Sequence, residues 1–390
     1  MTDQEIVAGG GEIAQASGTL GLNVYSDWEF ISVLQTFYSF SGTGQGSGAV
    51  AWLSGNFLGG TLDQIAQLWD NNGTLGLNLY APFENGTLAS FPDLGQGSGA
   101  VAWLSGDFTG SGSAEIAQLW DNHGHLGLNV YRMGETPQTV ISSSDLGQGS
   151  GAVAWLTGDF TGSGHTEIAQ LWDNGGSLAV NIYGMPGGTV TVHYRSDLGQ
   201  GSGAVAWLTG DFTGSGHTEI AQLWDNNGTL ALIVYSFVNA IVQTVISSSD
   251  LDQGTSAVAW LTGDFTGSGR TEIAQLWDND GTLGAVIYGC VNGTAETLFG
   301  SSDLDQGSGA VAWLTGHFIG SNVTGPGNPE IAQLWDNNGT LSCLLYTFSG
   351  GGVQFDPFTG DLGQGAGALA WLTGNFTGSG LTAIAQPWAS

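Results

Sequence analysis

The chain has 390 residues; 9% are charged, 68 are Gly and 15 are Trp, and the formal net charge is −31 with three Lys+Arg in all. So few cations exclude nucleic acid, whose phosphates are held by cationic side chains, and they disfavour anionic membranes and sulfated glycans on the same ground. Abundant glycine beside abundant aromatics suits short strands joined by tight turns over a large apolar core, not a disordered chain.

The N-terminus, MTDQEIVAGGGEIAQ, has neither the basic nor the apolar stretch of a secretory signal. Synthesis in the cytoplasm is expected, with release by a non-classical route if the protein acts outside the cell. No later stretch is long and apolar enough to insert in a membrane. Gly11 to Gln15, GEIAQ, is a copy of a motif that recurs downstream. It either competes with Ala383 to Gln386 or adds a strand of its own.

Next come SGTLGLNVY and then the first G-A-V-A-W-L segment. Its Trp returns at 52, 103, 155, 207, 260, 313 and 371, mostly 51 to 53 residues apart. A second landmark, I-A-Q-L-W-D-N, places Trp at 69, 120, 172, 224, 277 and 335, with Trp388 of IAQPW as its last member. A third ends in Tyr at 25, 80, 131, 183, 235, 288 and 346. The sixth copy is lengthened by an insertion from Ser321 to Pro329.

The copy from Ala152 to Ser202 shows the local logic. AVAWLTGDF alternates Val153, Trp155 and Thr157 against Ala154 and Leu156. TEIAQLWD puts Ile168, Gln170 and Trp172 on one side. SLAVNIY and the more variable TVTVHYRSD follow as third and fourth strands. The DNGG or DNNG turn between strands two and three tolerates positive φ at both central positions, a strong hairpin signal. Four antiparallel strands per repeat of about fifty residues is a propeller blade. The fold class is therefore all-β, a seven-bladed β-propeller occupying residues 1–390 as one domain. Repeats start near 49, 100, 152, 204, 257, 310 and 368, and residues 18–40 complete the last blade, so N- and C-terminal strands close the ring together. The two cysteines, Cys290 and Cys343, occupy inequivalent repeat positions and read as free thiols.

One rim of such a ring repeats an aromatic, an acceptor pair and a flexible polar loop. The W-D-N turns supply Trp69, Asp70 and Asn71; Trp120, Asp121 and Asn122; Trp172, Asp173 and Asn174; Trp224, Asp225 and Asn226; Trp277, Asp278 and Asn279; and Trp335, Asp336 and Asn337. The G-Q-G-S-G loops supply Gln96 and Ser98, Gln148 and Ser150, Gln200 and Ser202, and Gln306 and Ser308. Trp103, Trp155, Trp207, Trp260 and Trp313 enter the same crevices. A Trp face takes the C–H side of a sugar while fixed amides and carboxylates take its hydroxyls. The same residues also fit a purely structural role, with Trp packed between blades and Asp-Asn shaping the turn.

The opposite rim repeats G-D-F-T-G-S-G-x-x-E. Asp107, Asp159, Asp211 and Asp264 are weak calcium candidates there, since Thr and Ser stand where further carboxylates would be expected. The six His form no zinc spacing, and Gly42 to Gly48 is no phosphate loop, because no Lys follows. The N-G-T sequons at Asn72, Asn85, Asn227, Asn292 and Asn338 coincide, in the NNGT copies, with hairpin turns.

GDFTGSGxTEIAQLWDNxGxLxLxVY resembles the repeats of the seven-bladed propeller lectins of Photorhabdus, a fucose-binding group, and more distantly the FG-GAP/VCBS-type propellers. The resemblance covers all seven repeats. It implies several sugar sites in the crevices between adjacent blades, for fucose or O-methylated sugars. The expected function is thus a multivalent lectin and not an enzyme, binding glycans on cell surfaces or glycoproteins without a cofactor, and able to form a homo-oligomer. The alternatives are a protein-interaction scaffold, whose acidic rim would seek a basic partner, and a carbohydrate-active enzyme.

Overall fold

A computed structural model describes residues 19–27, 34–81, 86–238, 241–320 and 327–389. GEIAQ, Asn85 and most of the insertion in the sixth repeat lie outside them. The described strands form seven four-stranded antiparallel sheets, one per repeat. The third blade runs Ala154–Gly158, Glu167–Asn174, Ser177–Gly184 and Thr191–Asp197 from the axis outwards. The seven-bladed propeller expected from the repeat is the architecture found. The seventh blade joins Leu372–Gly374 and Ala383–Ala389 to Thr19–Asp27 and Leu34–Gly46. The register across the seam sets Asn23 opposite Gln386 and Leu20 opposite Ala389. No helix among the described residues is long and apolar enough to cross a membrane.

The core is not one mass but seven, each straddling two neighbouring blades. Leu104, Leu119, Leu128 and Val130 of the second blade meet Trp155, Ile168 and Tyr183 of the third. Ala154, Leu171, Val180 and Ile182, on the other face of that third blade, meet Ile220, Ile233 and Tyr235 of the fourth. The last such cluster closes the circle, placing Trp52, Ile65 and Tyr80 of the first blade against Leu20, Val24 and Ala385 of the seventh. Strict alternation along each strand therefore serves two interfaces at once.

A buried glutamine anchors every blade. Gln118 Nε2 donates to the carbonyls of Gly97 (2.7 Å) and Gly99 (2.9 Å), pinning the loop that enters the blade. Its Oε1 accepts from Tyr131 OH (2.7 Å) and Asn129 Nδ2 (3.0 Å). Asn129 Oδ1 in turn accepts from Ser142 Oγ (2.9 Å) on the outer strand. One amide thus satisfies four polar groups in a place water does not reach. Gln386 repeats the arrangement across the seam, with Gly365, Gly367, Asn23 and Tyr25 as partners. Desolvation raises the Tyr25, Tyr131 and Tyr235 phenols far above the ordinary tyrosine value, so they stay protonated and can donate to the glutamine.

Blades are also stapled at the rim opposite the W-D-N turns. Thr166 N donates to the Asp107 carbonyl (3.0 Å), and Thr166 Oγ1 accepts from Asp107 N (3.1 Å). Thr218 and Thr271 repeat the staple to Asp159 and Asp211. Between the seventh and first blades the Asp63 carboxylate takes this role, accepting from Asn375 N (2.7 Å). Cys290 and Cys343 are buried free thiols, and burial raises Cys343 far above the ordinary thiol range.

Candidate functional site

The turns expected to bind sugar are engaged with themselves. Asp70 Oδ1 accepts from Gly73 N (2.9 Å) and from the Ser98 hydroxyl. Asp121 takes Gly124 N and Ser150, and Asp278 takes Gly281 N and Ser308. These donors hold the Asp121 carboxyl below its ordinary value, the Ser150 hydroxyl most of all. Asp173, Asp225 and Asp336 each cap the glycine N–H of their own turn. Asn71, Asn122, Asn226 and Asn279 donate to carbonyls of the loop that follows the outer strand. The main-chain carbonyls of Gln96, Gln148, Gln200 and Gln306 accept from the leucine opening the third strand. The Gln148 side chain accepts from Asn181 Nδ2 of the next blade (3.1 Å). Ser202, Asn174 and Asn337 stand at the same rim.

The tryptophans are packing residues in the same measure. Trp103, Trp155, Trp207, Trp260 and Trp313 each lie against the core of the preceding blade. The half-buried Trp69, Trp120 and Trp277 lie across Gly76, Gly127 and Gly284 of the third strand, where an added Cβ would fall 2.2–2.4 Å from the indole. The indole nitrogens of Trp69 and Trp120 are buried without a partner. Ala179, Ala231 and Ser342 stand opposite Trp172, Trp224 and Trp335, so a small side chain is accommodated there. Gly127→Leu is accordingly expected to expel the Trp120 indole and cost about 1–3 kcal/mol. Urea unfolding with tryptophan fluorescence checks this; an unchanged midpoint and spectrum would refute it.

The large concavity lies on the axis. A cavity of about 2560 Å³ is lined by the inner strands of all seven blades. Trp69, Asp70, Ser98, Trp103, Ser150 and Trp155 reach it, whereas the remaining turn residues do not. Each inner strand runs the same way through it, from a valine (Leu369 in the seventh blade) at one mouth to an acidic or polar residue at the other. In the third blade that is Val153 to Asp159, six steps along the strand that span about 20 Å at ~3.3 Å each.

Ser54, Ser105, Thr157, Thr209, Thr262, Thr315 and Thr373 form a hydroxyl belt within the cavity. Ser54 donates to the Thr373 carbonyl (2.9 Å) and Ser105 to the Ser54 carbonyl (3.2 Å), so part of the belt links neighbouring blades.

Beyond the belt stand Asp107, Asp159, Asp211 and Asp264, with Asn56, His317 and Asn375 at the equivalent places. The four Asp, considered above for calcium, instead receive N–H groups. Asp107 Oδ1 accepts from Ser111 N (2.6 Å) and Oδ2 from Gly112 N (2.9 Å), and Asp211 repeats both bonds. A cation site wants acceptors converging on a point; here donors converge on each carboxylate. No group of three His, Cys, Asp or Glu among the described residues could hold a metal ion.

Behind this rim lies a set of buried glutamates that sequence reasoning treated only as the end of a loop motif. Glu219 Oε1 accepts from Thr213 Oγ1 (2.5 Å) and Oε2 from Thr213 N (2.9 Å). Glu167 and Glu272 hold Thr161 and Thr266 in the same way. Burial raises all three carboxyls above the ordinary glutamate range, outweighing the hydrogen bonds that lower them. Glu115, also buried, is paired with Arg132 Nη2 (2.8 Å).

No protein-family model matches the chain, and no curated protein does. Among solved structures it is similar to the exotype rhamnogalacturonan lyase YesX, at 14% identity over 86% of this chain and 72% of that one, with a TM-score of 0.45. It is similar to the rhamnogalacturonan lyase PL11 of Bacillus licheniformis, at 16% identity over 84% and 70% with a TM-score of 0.41. The oligogalacturonate lyase of Vibrio parahaemolyticus matches at 11% identity over 95% and 98% with a TM-score of 0.40. The likeness is one of fold.

It nonetheless corrects two expectations. These neighbours are propeller enzymes and not fucose lectins, so the assignment as a multivalent lectin and the exclusion of catalysis are both withdrawn. The kinship with Photorhabdus lectins reduces to the shared seven-bladed architecture. The cavity does hold proton-exchanging groups, the aspartates and His317. It holds no Lys or Arg among the described residues with which to neutralise an acidic sugar.

Proposed function

We propose that the axial cavity is the ligand-binding site of this protein and that it takes an elongated cationic ligand, such as a basic peptide segment. The observation that carries this reading is the sign of the lining. Asp63, Asp70, Asp107, Asp159, Asp211 and Asp264 face the cavity, and no Lys or Arg among the described residues does. A cleft lined by charges of one sign concentrates ligands of the other, and the field falls away with salt. Asp107, Asp159, Asp211 and Asp264 come one from each of four consecutive blades, Asp63 and Asp70 both come from the first, and among the described residues they do not gather into metal-binding groups. That spacing suits several charges distributed along a chain better than one ion. Anionic polysaccharide is the ligand this lining disfavours.

The test is the fourfold variant D107N/D159N/D211N/D264N. Asn already occupies the equivalent places at Asn56 and Asn375, where Asn375 Oδ1 accepts from Gly378 N (3.0 Å), so the turns survive the change. Exposed ion pairs at about 0.2–1 kcal/mol each sum to roughly 1–4 kcal/mol for four. A tetra-arginine peptide followed by calorimetry should therefore bind the variant roughly fivefold to several hundredfold more weakly. Its affinity for the parent protein should fall steeply between low and physiological salt. Equal affinity for the two proteins, or no binding to either at low salt, would reject the reading.

A further inference from the structure

At the mouth opposite the aspartates the inner strands begin with an aliphatic residue that is left in the open. Val101, Val153, Val205, Val258, Val311 and Leu369 are each 38–43% exposed. Single exposed valines are ordinary on any surface. These are not scattered, because they hold one repeat position and therefore one height around the axis. Val50, Val101, Val153 and Leu369, from four consecutive blades, line the cavity directly, with Ala49, Ala100 and Ala152 beside them. Their placement is fixed by the backbone: Val101 N donates to the Leu119 carbonyl and Val153 N to the Leu171 carbonyl, both at 2.7 Å. Small neighbours and glycine-rich approaches leave the annulus uncovered by the side chains of the described residues.

The cavity is thus asymmetric along its axis: five of its six lining carboxylates, Asp63, Asp107, Asp159, Asp211 and Asp264, stand at one mouth, the aliphatic annulus with Asp70 alone stands at the other, and the hydroxyl belt lies between. We infer that its ligand is amphipathic end to end, with a cationic head at the aspartate rim and an aliphatic tail about 20 Å away in the valine annulus. The inference rests on the cationic reading above and adds to it the chemical class and the direction of binding. Charge complementarity selects the occupant. A second copy of this chain, with a net charge of −31, would be repelled from an approach along the axis, whereas a cation-headed aliphatic chain is drawn in and then held by desolvation of its tail.

Two probes separate the parts of the argument. One is tetra-arginine; the other is tetra-arginine joined by a six-residue Gly-Ser spacer, about 20 Å when extended, to three leucines. The tailed peptide should bind the parent protein at least about tenfold more tightly at equal charge. The variant V101S/V153S/L369S, with an unchanged melting temperature, should bind tetra-arginine like the parent and lose the gain from the tail. A tail that adds nothing, or a gain that survives in the serine variant, overturns the annulus while leaving the acidic site standing. Failure of both peptides to bind the parent overturns the cationic reading, and the amphipathic one with it.

Discussion

Ending the chain after Thr382 is expected to prevent cooperative folding of the whole ring. The strand removed, Ala383–Ala389, is paired on both sides, to Leu372–Gly374 and to Thr19–Asp27. Ile384 belongs to the core shared with the sixth blade, and Ala383 and Ala385 to the core shared with the first. Its loss would strip two interblade cores and expose two strand edges. A graded version is Gln386→Ala. It leaves the carbonyls of Gly365 and Gly367, the Tyr25 hydroxyl and the Asn23 amide without their shared partner. Buried groups orphaned in this way cost about 1–3 kcal/mol each, and partial relaxation brings the whole to roughly 3–5 kcal/mol. Circular dichroism melts and size-exclusion profiles decide the matter. A truncated chain that melts sharply within a few degrees of the parent would show that the seam does not close the ring.

The second large effect is on pH dependence. The Glu167, Glu219 and Glu272 carboxyls are raised in the folded state because burial penalises the charged form. The folded state therefore holds these protons more tightly than the unfolded chain does. Stability from this source is complete below the ordinary glutamate range and is lost as pH rises through the raised values. The triple variant E167Q/E219Q/E272Q should flatten that decline. Its melting temperature should exceed the parent's at pH 8 and approach it near pH 4.

The first blade shows that the amide fits. Gln64 stands in the glutamate's place, accepting from Leu58 N (3.1 Å) and donating to the Leu62 carbonyl (2.5 Å). A variant with the parent's slope of melting temperature against pH would show that these carboxyls are not the titrating groups.

The fold was legible because each repeat is written in strong local signals. The alternation of Ile168, Gln170 and Trp172 gave the strands, and the Asn-Gly turns gave the hairpins. Asn72, Asn227 and Asn338 do take positive φ there, at 54°, 57° and 55°. The closing blade was legible because IAQPW near the C-terminus and GTLGLNVY near the N-terminus are complementary parts of one repeat. The site was not legible in the same way. Trp120, Asp121 and Asn122 offer the mixture a sugar needs, but the same mixture is what a capped turn over a packed indole needs. Composition cannot separate the two uses; only the partners of Asp121 Oδ1 and the glycine beneath Trp120 do. The cavity was hidden for another reason. Val153 and Asp159 sit close in the chain, but the mouths they border exist only once seven blades, some fifty residues apart in sequence, stand around a common axis. One signal did point inward: a glutamine kept at an otherwise apolar position of every IAQ segment marks a buried polar clamp.

The seam has a mechanical meaning. Because Thr19–Asp27 and Ala383–Ala389 are antiparallel neighbours with Leu20 opposite Ala389, the chain enters and leaves the ring at one rim, side by side. Tension applied across those two points would load the ladder's hydrogen bonds one after another, as a zip is opened, instead of shearing them together. The ring should therefore yield to force at its seventh blade first and at low load, with the other six blades still folded behind it.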